Sequence, residues 1–163
     1  MAGIISRWIL ARVVRSAMAF ETESIAAYRD LQERVDGASC SGLLRGSLCH
    51  LLEEEKLHWR LLDDASNGRL SIEELSGLVK GHMYEGMEKL LPLEGDDLER
   101  WSGELSRALE QEEKTFIFYT NLRRMSKIPV VKRAFEVLAL MEREHSEMLR
   151  RLLGLPVQGV EQR

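Results

Sequence analysis

Two Glu-x-x-His motifs lie far apart in this sequence, one formed by Glu55 and His58 and the other by Glu142 and His145. On an α-helix, residues three positions apart share a face, so each motif would place a carboxylate beside an imidazole. These two groups are common ligands of iron, zinc and manganese. A single motif of this kind is more often a solvated pair, but its repetition directs attention to a metal site.

Two other glutamates, Glu21 and Glu112, interrupt stripes of apolar residues spaced three or four positions apart. Each is followed seven residues later by a tyrosine, Tyr28 or Tyr119. The Glu-x-x-His motifs interrupt similar stripes, so the chain consists of a repeated helix pair. Because burial of an unpaired carboxylate costs several kcal/mol, four of them on core faces require cations between them. Two divalent metal ions would neutralise all four charges.

Four long segments have the periodicity of amphipathic helices, and none shows convincing strand alternation, so the predicted fold class is all-α. The predicted helices cover about residues 11–35, preceded by a short amphipathic segment at 4–10, then about 41–64, 96 or 97 to about 125, and 129 to about 151. We expect one domain over residues 1–163, with the bundle at about 11–154 and a frayed tail at about 157–163.

A connection of about thirty residues, at about 66–95, separates the second predicted helix from the third. Ser71 and Glu74 have the spacing of a capping box, and Pro92 breaks any helix near it, so this crossover is expected to carry short helices. Its length lets the third helix start at the same end of the bundle as the second.

The four acids are expected to lie at one level of the bundle. Glu21 and Glu55 are each about 17 residues from the connection between the first and second predicted helices. Glu112 and Glu142 are each about 15 residues from the connection between the third and fourth. At about 1.5 Å per residue, antiparallel partners would present these carboxylates side by side.

The complete set of six residues resembles the rubrerythrin branch of the ferritin-like di-iron carboxylate proteins, over about residues 11–154. The resemblance implies a ferritin-like four-helix bundle with two iron ions as cofactor. Glu55 and Glu142 would bridge the metals at the catalytic centre, Glu21 and Glu112 would bind terminally, and His58 and His145 would each ligate one metal. Tyr28 and Tyr119 would lie behind the ligands and support cofactor binding, although either tyrosine is also acceptable as a plain core aromatic.

The function that this resemblance implies is that of a dinuclear non-haem iron oxidoreductase, which reduces peroxide or O2. One alternative is iron binding and storage with ferroxidase activity. Another is a helical bundle that uses zinc or manganese structurally, since imidazole and carboxylate ligands accept those metals too.

The sequence departs from the family pattern at two places. Many rubrerythrins have a rubredoxin domain with two CxxC pairs, and this sequence contains none, so the resemblance implies a separate electron-donor protein such as a rubredoxin. An extra glutamate linked to peroxide reduction is common one turn along the third helix. Thr115 occupies that position here, with Ser24 as its counterpart in the first helix, so the sequence does not decide between peroxide and O2.

Composition excludes several other classes of protein. Lys and Arg number 23 against 27 Asp and Glu, for a net charge of −4, so nucleic acid is not an expected partner. Arg7, Arg12 and Arg15 divide the N-terminal apolar stretch, so neither a signal peptide nor a membrane span is expected.

The cysteines, Cys40 and Cys49, have no metal or disulfide spacing and suit the cytoplasm. Apolar residues at 4–14 favour a homodimer.

Other polar clusters are interpreted as structural. Glu53, Glu54, Glu113 and Glu144 turn away from the apolar stripes and are expected to be solvated, and His50 and His82 are expected at the surface. Residues 63–74 resemble a calcium-binding loop, but Ala65 occupies a ligand position, so a turn followed by a capped helix is preferred.

Overall fold

The computed structural model describes residues 2–81 and 89–157, and all regular secondary structure of these residues is helical. The elements are five helices, α1 (Ala2–Asp36), α2 (Gly42–Ser66), α3 (Ile72–Gly81), α4 (Gly95–Met125) and α5 (Pro129–Leu152). The prediction of an all-α fold is confirmed. The segment at 4–10 is not a separate lead-in, because α1 continues through it without a break.

α1 and α2 form one antiparallel pair, and α4 and α5 form the other. The turn between α1 and α2 is fixed at the start of α2, where the Ser41 hydroxyl accepts a hydrogen bond from the Leu44 amide at 3.4 Å. The Ser41 amide in turn donates to Asp97 Oδ2 in the first turn of α4, at 2.8 Å. This bond joins the two helix pairs at one end of the bundle.

The crossover contains one described helix, α3, which packs against α5. The predicted capping box is present, since the Ser71 amide donates to Glu74 Oε2 at 2.8 Å and the Glu74 amide donates to Ser71 Oγ at 3.2 Å. Beyond α3, the Leu93 amide donates to the Leu152 carbonyl at 2.8 Å, which fastens the end of the crossover to α5. His82 and residues 158–163 of the predicted tail lie outside the described residues.

Two apolar clusters fill the bundle, one toward each end. The first is built around Leu44, Leu48, Trp101, Leu105 and Leu149. The second contains Ala17, Leu62, Phe135, Leu138 and Met141 among others. The buried acids and histidines belong to neither cluster and lie in a polar layer between them. Apolar packing on both sides limits the access of water to that layer.

Candidate metal centre

All six predicted ligands are buried, with exposures of 0–3%. Each helix of the two antiparallel pairs contributes to the set: Glu21 from α1, Glu55 and His58 from α2, Glu112 from α4, and Glu142 and His145 from α5. These side chains are placed by the periodicity of their own helices, which turns the Glu-x-x-His face of α2 and α5 inward. The structure therefore brings together the residues that the sequence predicted.

The Nδ1 atom of each imidazole faces three carboxylates. His58 Nδ1 lies 3.1 Å from Glu142 Oε1, 3.3 Å from Glu21 Oε2 and 3.8 Å from Glu55 Oε1. His145 Nδ1 lies 2.9 Å from Glu55 Oε1, 3.4 Å from Glu112 Oε2 and 3.9 Å from Glu142 Oε2. The two sets of distances match closely, so the site has approximate twofold symmetry.

Glu55 and Glu142 lie at the centre of this arrangement, because each approaches both histidines. The two imidazole rings stack with their centroids 5.1 Å apart. Ligand atoms of Glu55, His58, Glu142 and His145 all lie within 4.8 Å of one another. A cluster of this size can accommodate metal ions that share the two central carboxylates.

The hydrogen-bonding state of these atoms supports a metal site. Both nitrogens of His58 and His145, both oxygens of Glu142, Glu21 Oε2 and Glu55 Oε1 are buried without a hydrogen-bond partner among the described residues. Buried polar atoms of this kind are rare unless an ion or water satisfies them. Carboxylate oxygens and imidazole nitrogens are suitable ligands for iron, manganese and zinc. The residues present therefore fit a metal centre.

Tyr28 and Tyr119 cross between helices to support the opposite acids. The Tyr28 hydroxyl on α1 donates to Glu112 Oε1 on α4, and the Tyr119 hydroxyl on α4 donates to Glu21 Oε1 on α1. Burial, followed by the nearby negative charges, raises the pKa of both phenols well above the usual value of 10.0. Both hydroxyls therefore stay protonated and keep donating to these carboxylates. The two tyrosines thus do more than fill the core with their rings.

The site strongly perturbs the ionisation of its own members. Burial, reinforced by neighbouring carboxylates, raises the pKa of Glu55 and of Glu142 well above 4.5. Burial by itself would lower the pKa of His58, but the charges of Glu55 and Glu21 outweigh it and raise that pKa to about 9. Burial would raise the pKa of Glu112, but contacts with Glu142 and His145 lower it to about 2.

The crossed tyrosine bonds give a direct prediction. Tyr28→Phe removes the hydroxyl donor to Glu112 and keeps the ring, and Tyr119→Phe does the same for Glu21. Loss of such a supporting hydrogen bond should weaken metal affinity by roughly 10–100-fold. Because the site is nearly symmetric, the two variants should lose similar affinity. Titration against a competing chelator measures the effect, and unchanged affinity in both variants would show that the hydroxyls do not position the ligands.

The polar clusters that were interpreted as structural behave as expected in part. Glu53 is exposed and pairs with Lys56, and Arg69 bonds to Asp63 and Asp64, so a cationic side chain occupies the carboxylates of the calcium-like loop. The prediction of solvation differs from the structure at four residues that are half-buried: His50, Glu54, Glu113 and Glu144. Burial raises the pKa of Glu144 to about 7.

An open cavity of about 430 Å³, which the sequence did not indicate, lies between α1 and α4 and reaches Glu112 and Tyr28. Ser24 lines this cavity. Thr115 is buried nearby in α4 and donates its hydroxyl hydrogen bond to the Gln111 carbonyl at 3.0 Å. No single motif could have indicated the cavity, because residues of two helices that are far apart in the sequence form it.

The rubrerythrin family model matches residues 104–161, which include Glu112, Glu142 and His145. No curated protein and no solved structure matches the chain. Within residues 2–81 and 89–157, every helix is too short or too polar to cross a membrane.

Proposed function

We propose that this rubrerythrin-type ferritin-like protein is a dinuclear non-haem iron oxidoreductase that reduces peroxide or O2. The observation that carries the proposal is the polar layer itself. Four carboxylates and two imidazoles are buried together, and most of their ligand atoms have no partner among the described residues. Such a layer between two apolar clusters is costly unless cations neutralise it.

The chain's own residues divide into holding and supporting groups. Glu55 and Glu142 would bridge two metals, because each approaches both imidazoles. Glu21 and His58 would complete the coordination of one metal, and Glu112 and His145 would complete that of the other. Bound iron would supply the electrons that reduce an oxygen–oxygen bond. The two tyrosine hydroxyls hold the terminal carboxylates in orientation, and the apolar clusters keep out water from the two ends of the bundle.

Metal content and redox response test this proposal. Freshly purified protein should contain about two metal ions per chain, as expected for bundles with this ligand set. Anaerobic loading with Fe(II), followed by peroxide or O2, should produce the absorption band of an oxo-bridged diferric centre. With an electron donor present, the oxidant should then be consumed continuously.

Two other outcomes would point to the alternatives. Uptake of iron far beyond two ions per chain would favour storage with ferroxidase activity. Tight zinc or manganese binding without any redox response would favour a structural metal. Either result would overturn the proposed oxidoreductase activity without removing the metal centre.

The proposed reaction requires a reductant. Cys40 and Cys49 are the cysteines of this sequence and form no CxxC pair. We therefore propose that electrons come from a separate carrier protein of the rubredoxin kind, in the cytoplasm. We also propose a homodimer, which size-exclusion chromatography with light scattering would test.

A further inference from the structure

The metal centre is nearly symmetric, but its surroundings are not. Glu21 of α1 corresponds to Glu112 of α4, and Tyr28 corresponds to Tyr119, since the two members of each correspondence lie 91 positions apart in the sequence. The same separation relates Ser24 to Thr115. With this correspondence, the two halves of the space between α1 and α4 can be compared position by position.

Aromatic rings close the half that contains Glu21. Phe20 and Phe118 lie with ring centroids 5.0 Å apart, and Phe118 lies 5.4 Å from Tyr119. Phe135 of α5 stacks on the other side of Tyr119 at 6.0 Å. This row of rings runs from the surface of the bundle to the hydroxyl that holds Glu21.

The half that contains Glu112 is open, because the corresponding positions carry different residues. Ala27 occupies the position that matches Phe118, and Gln111 occupies the position that matches Phe20. Both residues line the cavity of about 430 Å³. The cavity extends to Glu112 and to Tyr28, whose hydroxyl holds that carboxylate. Replacement of two rings by a methyl group and an amide thus gives access to the Glu112 side of the centre.

The lining of the cavity indicates what it can hold. Ala27, Leu31, Ala108 and the Tyr28 ring supply apolar surface. An apolar cavity of about 150 Å³ already binds benzene, so this one has room for a substituted aromatic ring. A hydrogen peroxide molecule would fill only a small part of it.

The charges around the cavity disfavour anions. Four acids line it against two arginines. Arg34 is not available to an anion, because it bonds to Glu104 Oε1 at 2.7 Å and lies over the Trp101 ring at 5.6 Å. Arg107 also approaches Glu104, at 3.5 Å. Besides Glu112, the lining includes the polar residues Ser24 and Gln111, which are both uncharged.

We infer that the cavity between α1 and α4 binds an uncharged organic molecule of about the size of a substituted benzene, beside Glu112. This inference rests on the proposed function and names its substrate class, an organic hydroperoxide. In that reaction the O–O bond of ROOH breaks, and two electrons and two protons convert it into ROH and water. The electrons come from the separate carrier protein.

Ligand binding without turnover gives the first test. The probe is 2-phenylpropan-2-ol, the alcohol formed from cumene hydroperoxide, which has no O–O bond to reduce. Saturation-transfer NMR on metal-loaded protein should show saturable binding. Ala27→Phe, which restores the ring found in the closed half, should weaken this binding by about tenfold or more. Ala108→Phe fills the cavity from the α4 side and should do the same.

The matched control is Ala26→Phe, which adds the same ring at the neighbouring exposed position outside the cavity. It should leave probe binding at the wild-type level. All three variants should keep the helical circular dichroism spectrum and the metal content of the wild type. Probe binding that is absent, or that survives both cavity-filling substitutions, would overturn the inference.

Turnover gives the second test. In Ala27→Phe, the ratio of kcat/KM for cumene hydroperoxide to that for hydrogen peroxide should fall by about tenfold or more, whereas Ala26→Phe should keep the wild-type ratio. Probe binding that is lost in Ala27→Phe, together with a wild type that reduces neither a peroxide nor O2, would support ligand binding in the cavity and contradict the proposed oxidoreductase activity. Turnover of hydrogen peroxide without probe binding would support the proposed oxidoreductase activity and contradict the binding of an organic molecule in the cavity.

Discussion

Glu55→Ala or Glu142→Ala is expected to abolish dinuclear metal binding. Each of these carboxylates approaches both imidazoles: Glu55 Oε1 lies 2.9 Å from His145 Nδ1 and 3.8 Å from His58 Nδ1, and the two oxygens of Glu142 make the equivalent approaches at 3.9 and 3.1 Å. In the proposed bridging role, truncation of either one removes one of the two carboxylates that would join the metals. Elemental analysis after loading and desalting should give about one metal ion per chain or fewer.

The control for this experiment is Glu54→Ala. Glu54 is adjacent to Glu55 in α2 but does not belong to the group of six buried ligands. The substitution makes the same change of charge and volume one position away, so metal content should stay close to that of the wild type. Retention of two ions in either Glu55→Ala or Glu142→Ala would refute the bridging role.

Removal of metal is expected to destabilise the protein strongly. Binding of structural metal ions contributes on the order of 10 kcal/mol in small metal domains, and about 1 kcal/mol shifts the melting temperature of a protein of this size by roughly 2–4 °C. Chelation should therefore lower the melting temperature by roughly 20–40 °C. Differential scanning calorimetry of loaded and chelated protein measures the change.

The stability of the chelated protein should also fall as the pH rises. The folded chain holds protons on Glu55 and Glu142 well above 4.5 and on His58 up to about 9, whereas the unfolded chain releases them near 4.5 and 6.5. Between these values the native state binds more protons, so the free energy of unfolding decreases with pH. The stabilisation from His58 is complete below pH 6.5 and is lost as the pH rises through about 9.

The loaded protein should respond differently, because metal binding displaces these protons and becomes more favourable as the pH rises. The gap in melting temperature between loaded and chelated protein should therefore widen from pH 6.5 to pH 9. A chelated protein whose melting temperature rises over this interval would show that these buried groups do not hold the protons.

Much of the local structure could be read from the sequence, since local interactions set it. Apolar spacing predicted the long helices, and Ser71 with Glu74 predicted the start of α3 from a capping box that involves neighbours only. The six buried polar residues were also predictable, because an acid inside an apolar stripe is conspicuous without any knowledge of the fold. Counting residues from the turns placed the acids at one level, since the rise of a helix is constant.

Other features depend on how helices rotate and pack against each other. The sequence placed Tyr28 after Glu21 and Tyr119 after Glu112 at the same spacing but did not indicate that each tyrosine bonds to the acid of the other helix. Glu144 was predicted to be solvated from its position in α5, but it is half-buried. Distances between side chains on different helices are set by interhelical packing, which no spacing along the chain encodes.

Amphipathic helices with four acids and two histidines on their buried faces follow from the amino-acid order, because periodicity and the cost of burying charge are local properties. Helix packing was needed to show which of these groups meet, that Nδ1 of each histidine faces the carboxylates, and that the Glu112 side of the centre is open. The exchange of Phe118 and Phe20 for Ala27 and Gln111 was present in the repeat, but it became a cavity only when α1 and α4 were placed side by side.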